Sequence, residues 1–254
     1  MYPVYPVIMK IVLIGYGKMG RLIEDIALQK EHAVIAKIHL DGSLSSVNEN
    51  HIKHADICID FSTSQCALQN IRTLASFKKN IVMGTTGWYE HLSEVKDIVQ
   101  KSQIGFLYSP NFSIGIHLFK NIIESAAQLI NEFEDYDIAG QEIHHNQKID
   151  SPSGTAKSIV YTLLEKIKRK TAPVYDLIDR PIASHELHFP SIRCGSTPGT
   201  HSVIFDSPAD TITITHQARN REGFARGAVA AAEWLEGKKG FFTLDDMVSE
   251  LSKS

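Results

Sequence analysis

The sequence predicts an α/β protein: a doubly wound parallel sheet followed by a second, α+β domain. Three observations carry that expectation. Short β-branched runs alternate with helical patterns through the first part of the chain, and a glycine turn directly follows the first run. Toward the C-terminus the strands then become alternating, as in antiparallel pairing. At 254 residues the chain is long enough for two domains with cores of their own.

The elements follow in order. Ile11–Ile14 is β-branched and ends at Gly15, and apolar residues then recur at helical intervals from Met19 to Leu28. Further buried-type strands are expected at Ala33–Ile38, Asp56–Phe61, Ile81–Met83 and Gly105–Tyr108, with helical stretches over 65–76 and 90–101 between them. After Asn111 the rhythm changes. Ile114–Ile130 reads as one long amphipathic helix, Tyr136–His144 as a strand, 156–169 as a helix, and Lys170–Pro181 as a polar, proline-containing connection. Strands return at His185–Phe189, His201–Phe205 and Thr211–His216; the last alternates strictly, which predicts one buried face. The alanine-rich Gly223–Leu235 is expected to be a helix that returns to the first domain. These breaks divide the chain into 1–113, 114–220 and a C-terminal segment 221–254. No internal repeat or low-complexity tract is present.

Composition narrows the function. The net charge of −3, from 26 basic and 29 acidic side chains, gives no electrostatic footprint for nucleic acid or an anionic membrane, so a small-molecule ligand is expected. Cys58, Cys66 and Cys194 are odd in number and lack metal-ligand spacing, which points to a reducing, cytoplasmic setting. The opening residues lack the basic and apolar regions of a signal peptide, and no stretch is apolar enough to span a bilayer. Residues 1–8, with Pro3 and Pro6, read as a loose arm before a natural start at Met9.

Two segments carry chemistry. Gly15-Tyr16-Gly17-Lys18-Met19-Gly20 fits the G-x-G-x-x-G pattern between a strand and a helix, the Rossmann-type context in which glycines admit a dinucleotide pyrophosphate at a helix N-terminus. Ordinarily an acidic residue ends the second strand and holds the adenosine ribose; here the position falls near His39. Asp41 is a candidate for the ribose and Lys37 or His39 for a 2′-phosphate, and all three also read as exposed strand-end residues. Gly84-Thr85-Thr86-Gly87 and Ser109-Pro110-Asn111-Phe112 follow strands, at the edge where doubly wound sheets bind ligands; each is also an ordinary turn or cap pattern.

The second segment is Glu142-Ile-His-His-Asn-Gln-Lys-Ile-Asp-Ser-Pro-Ser-Gly-Thr155. Its imidazoles, His144 and His145, exchange protons near neutral pH, and Lys148 adds a fixed positive charge or an acidic proton. Ser153-Gly154-Thr155 opens a helical pattern whose free N–H groups favour a bound anion. Three readings of the histidine pair compete: a metal site, a structural pair, and an acid beside a substrate. The first lacks a compact set of further ligands in the sequence, so no metal is expected.

Taken together, Gly15–Gly20, Gly84–Gly87, Pro110-Asn-Phe-Ser-Ile-Gly115, the whole 142–155 run and the tail His216-Gln-Ala-Arg with Phe224-Ala-Arg-Gly-Ala228 resemble the dihydrodipicolinate reductase (4-hydroxy-tetrahydrodipicolinate reductase) family. The likeness extends from about residue 10 to 240. It implies NADH- or NADPH-dependent reduction of a cyclic dicarboxylate with loss of water, in the diaminopimelate route to lysine. His144 would be the acid/base group and Lys148 a second proton donor, with His145, Ser153, Gly154 and Thr155 at the substrate. Gly15 to Gly20, His39, Gly84, Thr85, Thr86 and Ser109 to Phe112 would serve the cofactor.

The resemblance further implies a dinucleotide-binding domain at 1–113 and a substrate-binding and tetramerisation domain at 114–220, in a homotetramer paired through sheets. Thr211–His216 suits such an interface or the cover of its own core. Closure on ligands would hinge near Asn111–Gly115 and Ala218–Gly223. Three departures from the family pattern stand out: His39 at the usual acidic position, Phe61-Ser-Thr-Ser64 without the frequent basic residue, and short loops in the first domain. Two other functions fit parts of the pattern, a non-catalytic dinucleotide sensor and another imine or amino-acid dehydrogenase. Neither accounts for the whole 142–155 run as well.

Overall fold

The computed structural model describes residues 8–39 and 49–252. Residues 1–7 of the expected arm, and Asp41, lie outside them. The chain divides into two compact units, one made of residues up to Ile114 together with Arg221 onward, the other of Gly115–Asn220. The second unit is continuous in sequence, whereas the first is closed by the C-terminal segment.

The first unit holds a six-stranded parallel sheet. Its strands are β1 (Lys10–Ile14), β2 (Ala33–Ile38), β3 (Ile57–Asp60), β4 (Asn80–Met83), β5 (Gly105–Tyr108) and β12 (Gly240–Thr243), in the spatial order β12-β5-β4-β3-β1-β2. The strand order reverses at β1, between β2 and β3, and a crevice opens at the carboxyl ends beside such a reversal. Nearly every residue of β1, β3 and β4 is buried, because helices cover both faces. Two clusters form, one per face. Helices α1 (Lys18–Gln29) and α7 (Glu222–Trp234) cover one with Ile23, Ile26, Ala228 and Val229; α3 (Ser64–Ser76) and α4 (Leu92–Ser102) cover the other with Ile71, Leu74, Val95 and Val99.

Several elements were not expected from the sequence. The short helix α2 (Glu49–His54) precedes β3, and β12 with α8 (Leu244–Leu251) follows α7. β12 pairs with β5 in parallel, and Phe241 stacks on Phe106 at 5.2 Å. A four-residue run has no period of its own to read; its strand character comes from the β5 edge.

The second unit is a mixed sheet under two helices. Its strands are β6 (Asp137–His144), β7 (Ala172–Val174), β8 (Glu186–His188), β9 (Ser191–Arg193), β10 (Thr200–Asp206) and β11 (Thr211–Gln217). The order is β11-β10-β6-β8-β7, with β9 also on β6; β6, β10 and β11 pair antiparallel, and β7, β8 and β9 join in parallel. β7 lies inside the expected connection 170–181, and β9 was not expected. Helices α5 (Ile114–Asn131) and α6 (Gly154–Lys166) supply Phe119, Ile123, Ile159, Val160 and Leu163 to a core completed by Leu187, Phe189, Val203 and Phe205.

Helix α6 stops at Lys166, three residues earlier than expected, as Ile167 turns extended and buries its side chain. The predicted buried face of Thr211–His216 is only half covered. Ile212, Ile214 and His216 lie opposite the buried Phe205, Val203 and His201, but β11 is the sheet edge and leaves Ile212 44% exposed. Among the described residues, no helix is long and apolar enough to cross a membrane.

Candidate active site

Strand periodicity builds the centre of the second unit. Side chains alternate along β6, so Ile138, Gly140, Glu142 and His144 share the face buried beneath the helices. The first two meet the apolar core, and a Cβ at Gly140 would collide with the Phe189 ring. The last two meet polar company instead. His201 of β10 lies directly opposite Glu142 in the antiparallel register, and the N-terminus of α6 faces both.

Glu142 is fully buried, a charge that survives only with several donors around it. Its Oε1 accepts from the Ser153 amide at 2.9 Å and the Ser191 hydroxyl at 2.7 Å; its Oε2 takes a short hydrogen bond from the Ser153 hydroxyl. Oε2 also lies 3.3 Å from His144 Nδ1 and 3.4 Å from His201 Nε2. Burial alone would raise this carboxyl's pKa, but the hydrogen bonds from His201, Ser153 and Ser191 hold it well below the usual carboxylate range. Glu142 is therefore a fixed negative charge.

His144 sits beside that charge in a nearly closed space, 7% exposed. Burial depresses its pKa to about 4; Glu142 opposes the shift, and His201, Lys148 and Arg193 reinforce it. The far ring nitrogen, Nε2, faces Gly199, where a Cβ would come within 3.0 Å. A glycine there leaves this nitrogen uncrowded.

The loop after β6 carries Lys148, whose ammonium is 2.7 Å from Asp150 Oδ1. Arg193 clasps the same loop through the carbonyls of Lys148 (3.3 Å) and Asp150 (2.6 Å). His145 is half-buried, and its carbonyl accepts from the Lys148 amide at 3.1 Å. Ser153 is the N-cap of α6: its hydroxyl accepts from the Ala156 amide at 3.1 Å while donating to Glu142. Gly154 and Thr155 then form the first helical turn, where amides have no intrahelical acceptor, and a Cβ built at Gly154 meets nothing within 4 Å among the described residues beyond its chain neighbours and its own helix backbone. The arrangement offers a proton carrier, an ammonium and a helix N-terminus for an anion.

Glu142, His144 and His201 place donor atoms within 4.8 Å of one another, so the sequence's lack of a compact set of further ligands is corrected by the β6–β10 pairing. Serine hydroxyls and an amide already occupy the carboxylate, which is the geometry of a hydrogen-bonded anion. Glu142, Ser191, Arg193 and His201 were assigned no role from the sequence. The signal for Glu142 was present: two residues before His144 on a strand means the same face. His201 and Arg193 are brought in only by strand pairing.

In the first unit, Gly15 follows β1 with φ +84°, a left-handed conformation, and a Cβ there would collide with the Phe61 carbonyl. The amides of Gly15 and Tyr16 both bond the Ile38 carbonyl, at 3.0 and 2.9 Å. Helix α1 starts after Gly17 with no side-chain cap and no acidic residue in its first turn. The amides of Lys18, Met19 and Gly20 therefore lie at an uncapped positive helix end, which fits a diphosphate. Gly20 lets α1 approach, since a Cβ would fall 2.8 Å from the Gly15 carbonyl.

At the end of β2, Tyr16 hydrogen-bonds Glu24, which also pairs with Lys37. Lys37 and Arg21 each lie 5.1 Å from the Tyr16 ring centre, and His39 meets that ring edge-on at 6.2 Å. The other two turns are tied by residues the sequence did not single out. Asp60, fully buried, accepts from Ser62 through its amide (2.9 Å) and hydroxyl (2.7 Å), and from Thr85 Oγ1 (2.8 Å) and Asn70 Nδ2 (2.8 Å). The Thr85 hydroxyl is thus committed to the fold, while Thr86 is exposed. Gly84 is required because a Cβ would enter the Phe61 ring. In the remaining turn the Ser109 hydroxyl donates to the Asn111 carbonyl at 2.7 Å, and Phe112 is buried against Phe61; Pro110 stays exposed.

Comparison with known proteins decides the family. The model described as dihydrodipicolinate reductase, N-terminus, matches residues 9–112, and that described as dihydrodipicolinate reductase, C-terminus, matches 115–248. The chain belongs to the dihydrodipicolinate reductase family. It is accordingly an oxidoreductase. It is 38% identical over 246 residues to the 4-hydroxy-tetrahydrodipicolinate reductase of Christiangramia forsetii, covering 97% of this chain and all of that one. To the enzyme of the same name from Staphylococcus saprophyticus it is 34% identical over 247 residues, covering 94% and 100%. A dipicolinate-bound dihydrodipicolinate reductase from Paenisporosarcina sp. TG-14 shares the fold, with a TM-score of 0.74 at 20% identity over 95% of this chain and all of that one.

Proposed function

We propose that the chain reduces 4-hydroxy-2,3,4,5-tetrahydrodipicolinate to 2,3,4,5-tetrahydrodipicolinate with NADH or NADPH, releasing water, in the diaminopimelate route to lysine. The relatives' names support the reaction. The observation that carries the residue roles is His144 beside a buried carboxylate at the open N-terminus of α6. The bound nicotinamide cofactor supplies the hydride, and one proton is taken up for each hydride transferred.

The first unit binds. The amides of Lys18, Met19 and Gly20 receive the diphosphate, and Gly15 and Gly17 keep the backbone clear for it. Tyr16, Lys37 and His39 border the adenosine ribose, and the turns Gly84–Thr86 and Ser109–Phe112 border the nicotinamide end. The second unit holds the cyclic dicarboxylate. The amides of Gly154 and Thr155 take a carboxylate, His145 contacts the substrate, and Ser153 sets where the helix begins. His144 delivers a proton from Nε2, the nitrogen facing Gly199. Its depressed proton affinity suits a neutral resting ring that is charged when a dianionic substrate arrives. Lys148 exchanges Asp150 for the substrate and serves as second proton donor. Three free cysteines agree with a cytoplasmic enzyme. The sheet face opposite α5 and α6, with half-exposed Ala139, Gln141, Ile143 and Ile204, suits sheet pairing in a homotetramer.

Coupling the protein to a synthase that makes the substrate, and following NADH and NADPH oxidation separately, tests the activity. His144→Ala and Lys148→Ala are each expected to lower kcat by about 10²-fold or more, the usual scale for a lost general acid, with dinucleotide affinity retained. Near-normal turnover in either variant would remove that residue from proton transfer.

A further inference from the structure

Beside His144 lies Glu142, a fully buried carboxylate. We propose that Glu142 is the positioning residue of the acid: it holds the imidazole with Nδ1 toward its own Oε2 and Nε2 free for the substrate, and it stabilises the imidazolium form. The proposal rests on His144 being the proton donor.

Three observations support it. First, Glu142 cannot move. Ser153 binds both of its oxygens, Ser191 binds one, and His201 Nε2 lies 3.4 Å from Oε2, so a carboxylate with no solvent exposure is fixed from three elements, α6, β9 and β10. Second, the Nδ1 atom of His144 is buried and makes no hydrogen bond among the described residues, and the carboxylate oxygen Oε2 of Glu142 stands 3.3 Å from it, within reach once the ring tilts or takes a proton. Third, the groups facing His144 are otherwise wrong for an acid. Burial disfavours its charged form, as do His201 on β10, Lys148 on the loop and Arg193 on β9; Glu142 favours it. Without that carboxylate the imidazolium form would lose its opposing charge, and the neutral ring would be free to adopt either tautomer.

The same serine gives the device its economy. Ser153 caps α6, whose next two amides are the proposed anion site, while its hydroxyl ties Glu142. Proton donor and carboxylate holder are thereby set at a fixed spacing by one side chain.

The test is Glu142→Gln, which keeps shape and removes charge. Expected are a fall in kcat at neutral pH of about tenfold or more and a shift of the alkaline limb of the kcat profile to lower pH by about one to three units, the scale of an adjacent opposite charge. Dinucleotide affinity should be unchanged and KM should change less than kcat. Glu142→Asp should recover part of the rate. In a His144→Ala background, Glu142→Gln should cost nothing more, because it acts through that ring.

If His144→Ala is impaired but Glu142→Gln keeps the wild-type rate and profile, the positioning role is wrong while the acid stands. If His144→Ala is itself unimpaired, the reading beneath it is wrong. Should Glu142→Gln fail to fold, 15N NMR of the unaltered protein decides. A neutral His144 protonated at Nδ1 supports the proposal, and one protonated at Nε2 overturns it.

Discussion

The imidazole of His144 gives the clearest residue-scale expectation. Its proton affinity in the fold is pushed down to about 4, from an ordinary 6.5, chiefly by burial. Between those pH values the unfolded chain binds a proton that the folded chain refuses, so acidification favours unfolding. Stability is full above the ordinary value and falls as pH drops from 6.5 toward 4, by about 3 kcal/mol if the whole difference is realised. Glu142, held ionised by its donors, adds loss in the same direction at still lower pH. Urea titrations at pH 7, 5.5 and 4.5 should show a shallower pH slope in His144→Ala than in the parent; parallel slopes would mean the ring is not the responsible group. The 142–155 run was legible as chemistry because its residue types are unusual together. The place of Glu142 beside His144 was readable from the two-residue strand spacing, whereas Ser191 and His201, which reach the same carboxylate, carry no such signal in the sequence.

At the scale of elements, the turns after parallel strands are held by side chains rather than by local sequence alone. Asp60 ends β3 and collects four hydrogen bonds that join the 61–64 turn, helix α3 and Thr85. Burial raises its pKa, against the donors around it. Asp60→Ala would strand those donors, and a loss of about 3 kcal/mol is expected from unmade buried bonds. Weaker NAD(P)H binding should accompany it, since the Gly84–Thr86 turn loses its tie. Thermal melting and fluorescence titration check both; an unchanged Tm would mean that the other bonds of these turns suffice.

The long elements α1, α5, β6 and β10 were legible from period. Short ones such as β9 and β12 were not, because three or four residues carry no period and their strand state depends on a neighbour's edge. The capping box of α8, Thr243 with Asp246, is a local signal three residues apart.

On the scale of the whole molecule, the two units differ in connectivity. Gly115–Asn220 is one continuous stretch with its own sheet and core, whereas the first unit needs both ends of the chain. A fragment of 115–220 is therefore expected to fold alone with a cooperative thermal transition, while 1–114 without the segment from Arg221 should not, because α7 covers one face of its sheet. Circular dichroism melting of both fragments checks this. A second unit that melts without cooperativity would show that its half-covered sheet depends on further contacts.

By itself the sequence determined the order of the long α and β elements, the glycine turn between a strand and a helix, the unusual 142–155 run and the family. Those features are written in neighbouring residues, through periodicity, backbone freedom at glycine and the proximity of reactive side chains. Only the tertiary structure decided how the charge beside His144 is held. Glu142 and His201 meet because β6 and β10 pair in one register, and Ser191 and Ser153 reach the same carboxylate from a third strand and a helix. A buried charge needs partners from several directions, and directions exist only once the chain is folded.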